Sequence, residues 1–95
     1  MKYLHTMVRV TDIDASLRFY RDALGLQVIS RKDIDAGRFT LVFLAAPGDD
    51  KAQIELTYNW GVEHYEIGTA YGHIALGVPD VVASVEKIKA VGGNV

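Results

Sequence analysis

Two histidines and a glutamate carry the chemistry that this sequence offers. An offset of 68 residues superposes His5 on His73, together with Tyr3 on Tyr71, Val10 on Val78, Asp12 on Asp80, Ala15 on Ala83 and Ser16 on Ser84. A ligating residue type that recurs with its surroundings suggests a site built from two copies of one scaffold. The third group, Glu55, sits in Gln53-Ile54-Glu55-Leu56-Thr57, where strand alternation turns it away from Ile54 and Leu56. Imidazole and carboxylate donors together suit the borderline divalent ions Ni, Co, Zn or Fe. Each residue also has a plainer reading. A histidine in a strand is commonly a polar surface residue, and Glu55 alone would pass for a solvent-facing carboxylate.

The elements that must hold these groups follow from periodicity. Leu4 to Val10 alternates, placing His5, Met7 and Arg9 on one face and Leu4, Thr6, Val8 and Val10 on the other. Asp12 supplies a helix cap, Leu17, Tyr20 and Leu24 mark an apolar stripe, and Gly25 stops the helix. Strands are expected at Leu26 to Ser30, Phe39 to Ala45 and Gln53 to Thr57. A turn at Asp35-Ala36-Gly37 and a loop at Pro47-Gly48-Asp49-Asp50 should connect them. The first copy thus reads as a βαβββ module over residues 1–62. Residues 63–95 read as a linker followed by a strand over Gly72 to Val78 and a helix capped by Asp80, with stripe residues Val81, Val85 and Ile88. The fold class is therefore α+β, with paired βαβββ modules and the second cut short after its helix. Such a pattern predicts that the chain is part of a longer whole. Tyr58 and Trp60 could fill the core or line a pocket, and His64, which has no repeat partner, reads as a surface residue.

Composition narrows the classes of function. The 95 residues are 49% hydrophobic, enough for one small packed unit. There is no cysteine, which excludes disulfides, thiolate-bound zinc and a thiol nucleophile. Net charge is −2 without a cluster of Lys or Arg, which argues against nucleic acid. The longest apolar run, Leu41 to Ala46, is far too short for a bilayer, and the N-terminal residues lack a signal-peptide pattern. A cytoplasmic protein is expected.

Three segments extend this reading: His5-Thr6-Met7-Val8-Arg9-Val10, Glu55-Leu56-Thr57-Tyr58-Asn59-Trp60-Gly61 and Tyr71-Gly72-His73-Ile74-Ala75. Together they resemble glyoxalase I (lactoylglutathione lyase) of the short bacterial form, in the vicinal oxygen chelate superfamily. The resemblance implies metal ligation by His5, Glu55 and His73, with Ni preferred and Co or Zn as alternatives. It implies that Arg9 and Asn59 bind the glutathione part of the substrate, the hemithioacetal of methylglyoxal, which is isomerised to S-lactoylglutathione. It further implies a homodimer whose metal sites are shared, the first copy of one subunit facing the second copy of its partner.

One part of the resemblance has no counterpart in these residues. The glutamate that would act as catalytic base should follow Val95, near position ~123 if the repeat continues; the alternative is a natural truncation with little isomerase activity. Glu63, Glu66 and Glu86 fall in the linker or on the helix, not in the required strand. Two other functions fit the same scaffold. One is an Fe(II) extradiol dioxygenase, since two histidines and a glutamate also form a facial triad. The other is a non-catalytic small-molecule-binding protein. Arg9 and Asn59 speak against a catechol, and three ligating residues speak against simple sequestration.

Overall fold

A computed structural model describes residues 1–95. Strand β1 spans His5–Val10, β2 Gln27–Ile34, β3 Phe39–Ala46 and β4 Asp49–Asn59. They form one sheet in the order β1-β4-β3-β2. The three later strands are hairpin-connected and antiparallel, whereas β1 lies parallel to β4. A parallel neighbour needs a crossover. Helix α1 (Ile13–Leu17) and a π-helical continuation (Arg18–Ala23) supply it.

The crossover begins where the sequence places it. The Asp12 carboxylate accepts a hydrogen bond from the Ala15 amide at 3.0 Å, and the Ser16 hydroxyl donates to the Asp12 carbonyl at 2.8 Å. The single α-helix expected up to Gly25 instead widens after Leu17, where Leu24 N–H donates to the Phe19 carbonyl. That i→i−5 pairing leaves the apolar spacing almost unchanged, which is why the 3.6-residue stripe does not reveal it. Gly25, at φ +82°, ends the segment in a conformation that glycine adopts without strain.

The core lies between this crossover and one face of the sheet. Ile13, Leu17 and Leu26 pack against Val42, Leu44 and Leu56, the last three with no exposed surface. Val8, Val10, Ile54 and Tyr58 pack around them from the same sheet face. The opposite face, which carries His5, Met7 and Arg9, is left open. One face therefore stabilises the module while the other is available for chemistry.

Several boundaries move from their sequence-based positions. Strand β2 extends to Ile34, and β4 begins at Asp49, so Asp49 and Asp50 belong to the ladder rather than to a loop. The connection needs only Pro47 and Gly48, because Gly48 takes φ +76° and closes a two-residue hairpin.

The larger correction concerns the second copy. No strand forms over Gly72 to Val78, and residues 62–80 carry neither helix nor strand. A strand is held by ladder hydrogen bonds to a neighbour. The sheet closes with β1 as one edge and β2 as the other, and this segment pairs with neither. Helix α2 (Val81–Ala90) forms nonetheless. Asp80 caps it by accepting from the Ala83 amide at 3.1 Å, as Asp12 caps α1. No residue of α2 is fully buried, and none of its helices is long and apolar enough to cross a membrane.

Candidate metal and substrate site

The open face of the sheet gathers the residues singled out by type. Strand alternation puts His5, Met7 and Arg9 of β1 beside Glu55, Thr57 and Asn59 of β4, because Met7 pairs with Glu55 and Arg9 with Thr57. Phe43 of β3 pairs with Glu55 from the other side. The Glu55 side chain is therefore only 13% exposed, flanked by Met7 and Phe43.

His5 Nε2 lies 3.7 Å from Glu55 Oε2. The His5 ring also meets Phe43 edge to face, with centroids 5.3 Å apart and planes at 85°. This contact fixes the ring while leaving Nε2 directed at the carboxylate. Glu55 receives no hydrogen bond from a protein donor within normal distance. A shielded carboxylate beside an imidazole, with lone pairs to spare, offers two donor types that one divalent ion can share. Two donors at about 2.1 Å from one ion stand about 3.0 Å apart at right angles and about 3.4 Å apart in a tetrahedron. A few tenths of an ångström of side-chain movement would bring His5 and Glu55 onto one ion.

His73 does not join them. No set of three or more His, Cys, Asp or Glu side chains within the chain is placed to hold a metal. Of the three residues singled out as ligands, the fold brings two together. The third lies in the irregular segment before α2, where the strand expected over Gly72 to Val78 does not form. His64 lies on the surface, 3.4 Å from Glu66, both highly exposed.

Arg9 and Asn59 lie farther along the same face, at the C-terminal ends of β1 and β4. Arg9 makes no ion pair and no side-chain hydrogen bond, so its planar fork of donors is free to receive a carboxylate. It lines a cleft of about 520 Å³ with Met7, Tyr20, Tyr65 and Tyr71. Burial holds the Tyr20 phenol above its ordinary pKa, and neighbouring Tyr71 adds to the effect. Tyr65, which sequence reasoning left in a linker, receives a hydrogen bond from the Asn59 amide at 3.0 Å. The one available signal was the aromatic content of that linker.

Tyr58 and Trp60 turn out to be structural. Tyr58 packs on the core, and Trp60 Nε1 donates to Thr40 Oγ1 at 2.8 Å across the neighbouring strand.

The sequence matches the model of the Glyoxalase/Bleomycin resistance protein/Dioxygenase superfamily over residues 2–95. It is 52% identical over 96 aligned residues to lactoylglutathione lyase of Haemophilus influenzae, covering 100% of this chain and 71% of that protein. It is 47% identical to the Escherichia coli O157:H7 lactoylglutathione lyase, again covering 100% and 71%. Among solved structures, the trypanothione-dependent glyoxalase I of Leishmania major superposes with a TM-score of 0.82 at 42% identity. That match covers 95% of this chain and 66% of the other. Glyoxalase I of Zea mays superposes with a TM-score of 0.88 at 34% identity, covering 96% of this chain and 33% of the maize chain. Relatives named as lyases support neither the dioxygenase nor the sequestering alternative.

Proposed function

The chain belongs to the Glyoxalase/Bleomycin resistance protein/Dioxygenase superfamily, and its relatives near half identity are lactoylglutathione lyases. From that premise we propose that it provides the metal- and glutathione-binding half of a glyoxalase I site. The observation that carries this reading is the shielded Glu55 carboxylate 3.7 Å from His5 Nε2, on the face that also presents Arg9 and Asn59.

In this reading the metal ligands are His5, Glu55 and His73, with His5 and Glu55 of one subunit meeting His73 of a second. A homodimer with shared sites accounts for the separation of His73 from the other two within a single chain. The donor set of imidazole and carboxylate suits Ni, with Co or Zn as substitutes. The ion, when bound, supplies Lewis-acid stabilisation of the negative charge that develops as the substrate loses its proton.

The protein's own residues perform the remaining work. Phe43 and Met7 exclude water from the Glu55 side of the site and keep its carboxylate in a less polar setting, where its charge acts more strongly. Arg9 takes up a carboxylate of the glutathione moiety through two parallel N–H donors, and Asn59 fixes an adjacent amide or amine. These contacts hold the hemithioacetal carbon at the His5–Glu55 end of the face, so that proton transfer between neighbouring carbons is intramolecular in effect. No second carboxylate joins His5 and Glu55 in this chain. The residues here thus account for binding and orientation, and the base is assigned to the continuation of the repeat. Because the substrate is an adduct of a free thiol, the reaction belongs in a reducing compartment, which supports a cytoplasmic setting.

Equilibrium dialysis against Ni, read by elemental analysis, tests the ligand set. Wild-type protein should bind about one ion per subunit, and His73→Ala and Glu55→Gln should each lose it. Wild-type stoichiometry in either variant would remove that residue from the site.

A further inference from the structure

The Asn59 side chain does not stand free on the open face. Asn59, Trp60, Gly61 and Val62 form a tight turn closed by Val62 N–H donating to the Asn59 carbonyl at 3.1 Å. Gly61 takes φ +84° at its third position, which a residue with a Cβ adopts only under strain. The turn is anchored on both sides of its second residue. Trp60 N–H donates to the Arg38 carbonyl at 3.0 Å, and its indole N–H donates to Thr40. Thr40 in turn donates to Asp33 at 2.8 Å, tying the turn to the β2–β3 hairpin.

From this fixed turn the chain doubles back, and Tyr65 comes to lie over Asn59. The Asn59 amide nitrogen donates to the Tyr65 hydroxyl at 3.0 Å, between two half-buried residues. An amide that has committed its nitrogen to a phenol turns its carbonyl oxygen the other way. Tyr65 also lines the cleft that contains Arg9.

We propose that Tyr65 is a positioning residue for substrate recognition, acting through Asn59. It holds the Asn59 carboxamide with its oxygen presented as an acceptor. On the same face, opposite Thr57 and across the cleft from Tyr65, the unpaired Arg9 guanidinium presents donors. An acceptor and a donor fork on one face are complementary to a group carrying both an N–H and a carboxylate, as at an amino-acid-like end of a peptide. The inference rests on the glyoxalase reading and deepens it by stating how one end of the glutathione moiety is oriented.

The test is titration calorimetry of the full chain, with Ni present, against S-hexylglutathione, a thioether that cannot be turned over. Tyr65→Phe keeps the ring and removes only the hydroxyl. It should weaken binding about 3- to 10-fold, the range expected for one neutral hydrogen bond. In an Asn59→Ala background the same substitution should have no further effect, because the residue through which it acts is gone. Equal weakening in both backgrounds would overturn the positioning role, and so would unchanged affinity in Tyr65→Phe. A wild-type protein that fails to bind the thioether would overturn the glyoxalase reading and the inference with it. A readout free of ligand separates the two: the Asn59 side-chain amide resonance should shift in Tyr65→Phe, and an unmoved resonance would sink the hydrogen bond itself.

Discussion

The two copies of the repeat fare differently in the same chain. In the first copy, His5 lies in a strand that pairs with β4 along its whole length, and the helix after it buries Ile13 and Leu17. In the second, His73 lies in irregular backbone, and the helix after it buries nothing completely. Yet Asp12 and Asp80 cap their helices almost identically, at 3.0 and 3.1 Å. A cap is a contact over three residues, satisfied wherever the local sequence allows. A strand is half of an interaction and needs a partner that only the rest of the fold provides.

The comparison is broken most severely at the core. Leu56 is fully buried beneath the crossover, and Leu56→Ala should cost about 2–5 kcal/mol. Val82, on α2, is 69% exposed, and Val82→Ala should stay within about 0.5 kcal/mol. Urea denaturation of both variants checks the contrast. Equal losses would show that the second copy is as cooperative a part of the fold as the first.

The caps sharpen it. Asp12→Ala and Asp80→Ala should each cost their own helix about 1 kcal/mol. For Asp12 the loss should appear in the global unfolding midpoint, since α1 carries core residues. For Asp80 it should appear as faster amide exchange confined to α2, with the midpoint unmoved. An Asp80 variant that lowers the global midpoint would contradict the view of α2 as weakly coupled.

The smallest effect concerns Tyr20, where the first copy's crossover faces Tyr71 of the second. Its phenol is held above the ordinary value mainly by burial. The neutral form is the one the fold favours. Its contribution is therefore complete below the unfolded-state pKa of ~10 and is lost as pH rises through the folded-state value. Tyr20→Phe should flatten the decline in stability on the alkaline side without changing its shape at neutral pH. An identical alkaline decline in the variant would remove Tyr20 from that contact.

Much of the first module was legible because its signals are local or strictly periodic. Alternation in Leu4 to Val10 correctly opposed His5, Met7 and Arg9 to Val8 and Val10, and Gly25 and Asp12 marked the ends of the crossover. The length of β4 was not legible, because Asp49, Asp50 and Lys51 have no strand preference of their own. They are drawn into the ladder by the hairpin at Pro47-Gly48. The role of Tyr65 was equally hidden, since it depends on a turn anchored through Trp60 to a strand twenty residues earlier.

By itself, then, the sequence determined which residues could ligate a metal, which faces they occupy, and where two helices start, because side-chain type, period and capping are properties of neighbouring residues. Only the tertiary structure decided which of those ligands meet. His5 and Glu55 converge because, after a crossover packed on Leu56, the chain brings β4 back beside β1. His73 stays apart because residues 72–78 form no strand and pair with neither edge of the sheet that holds the other two.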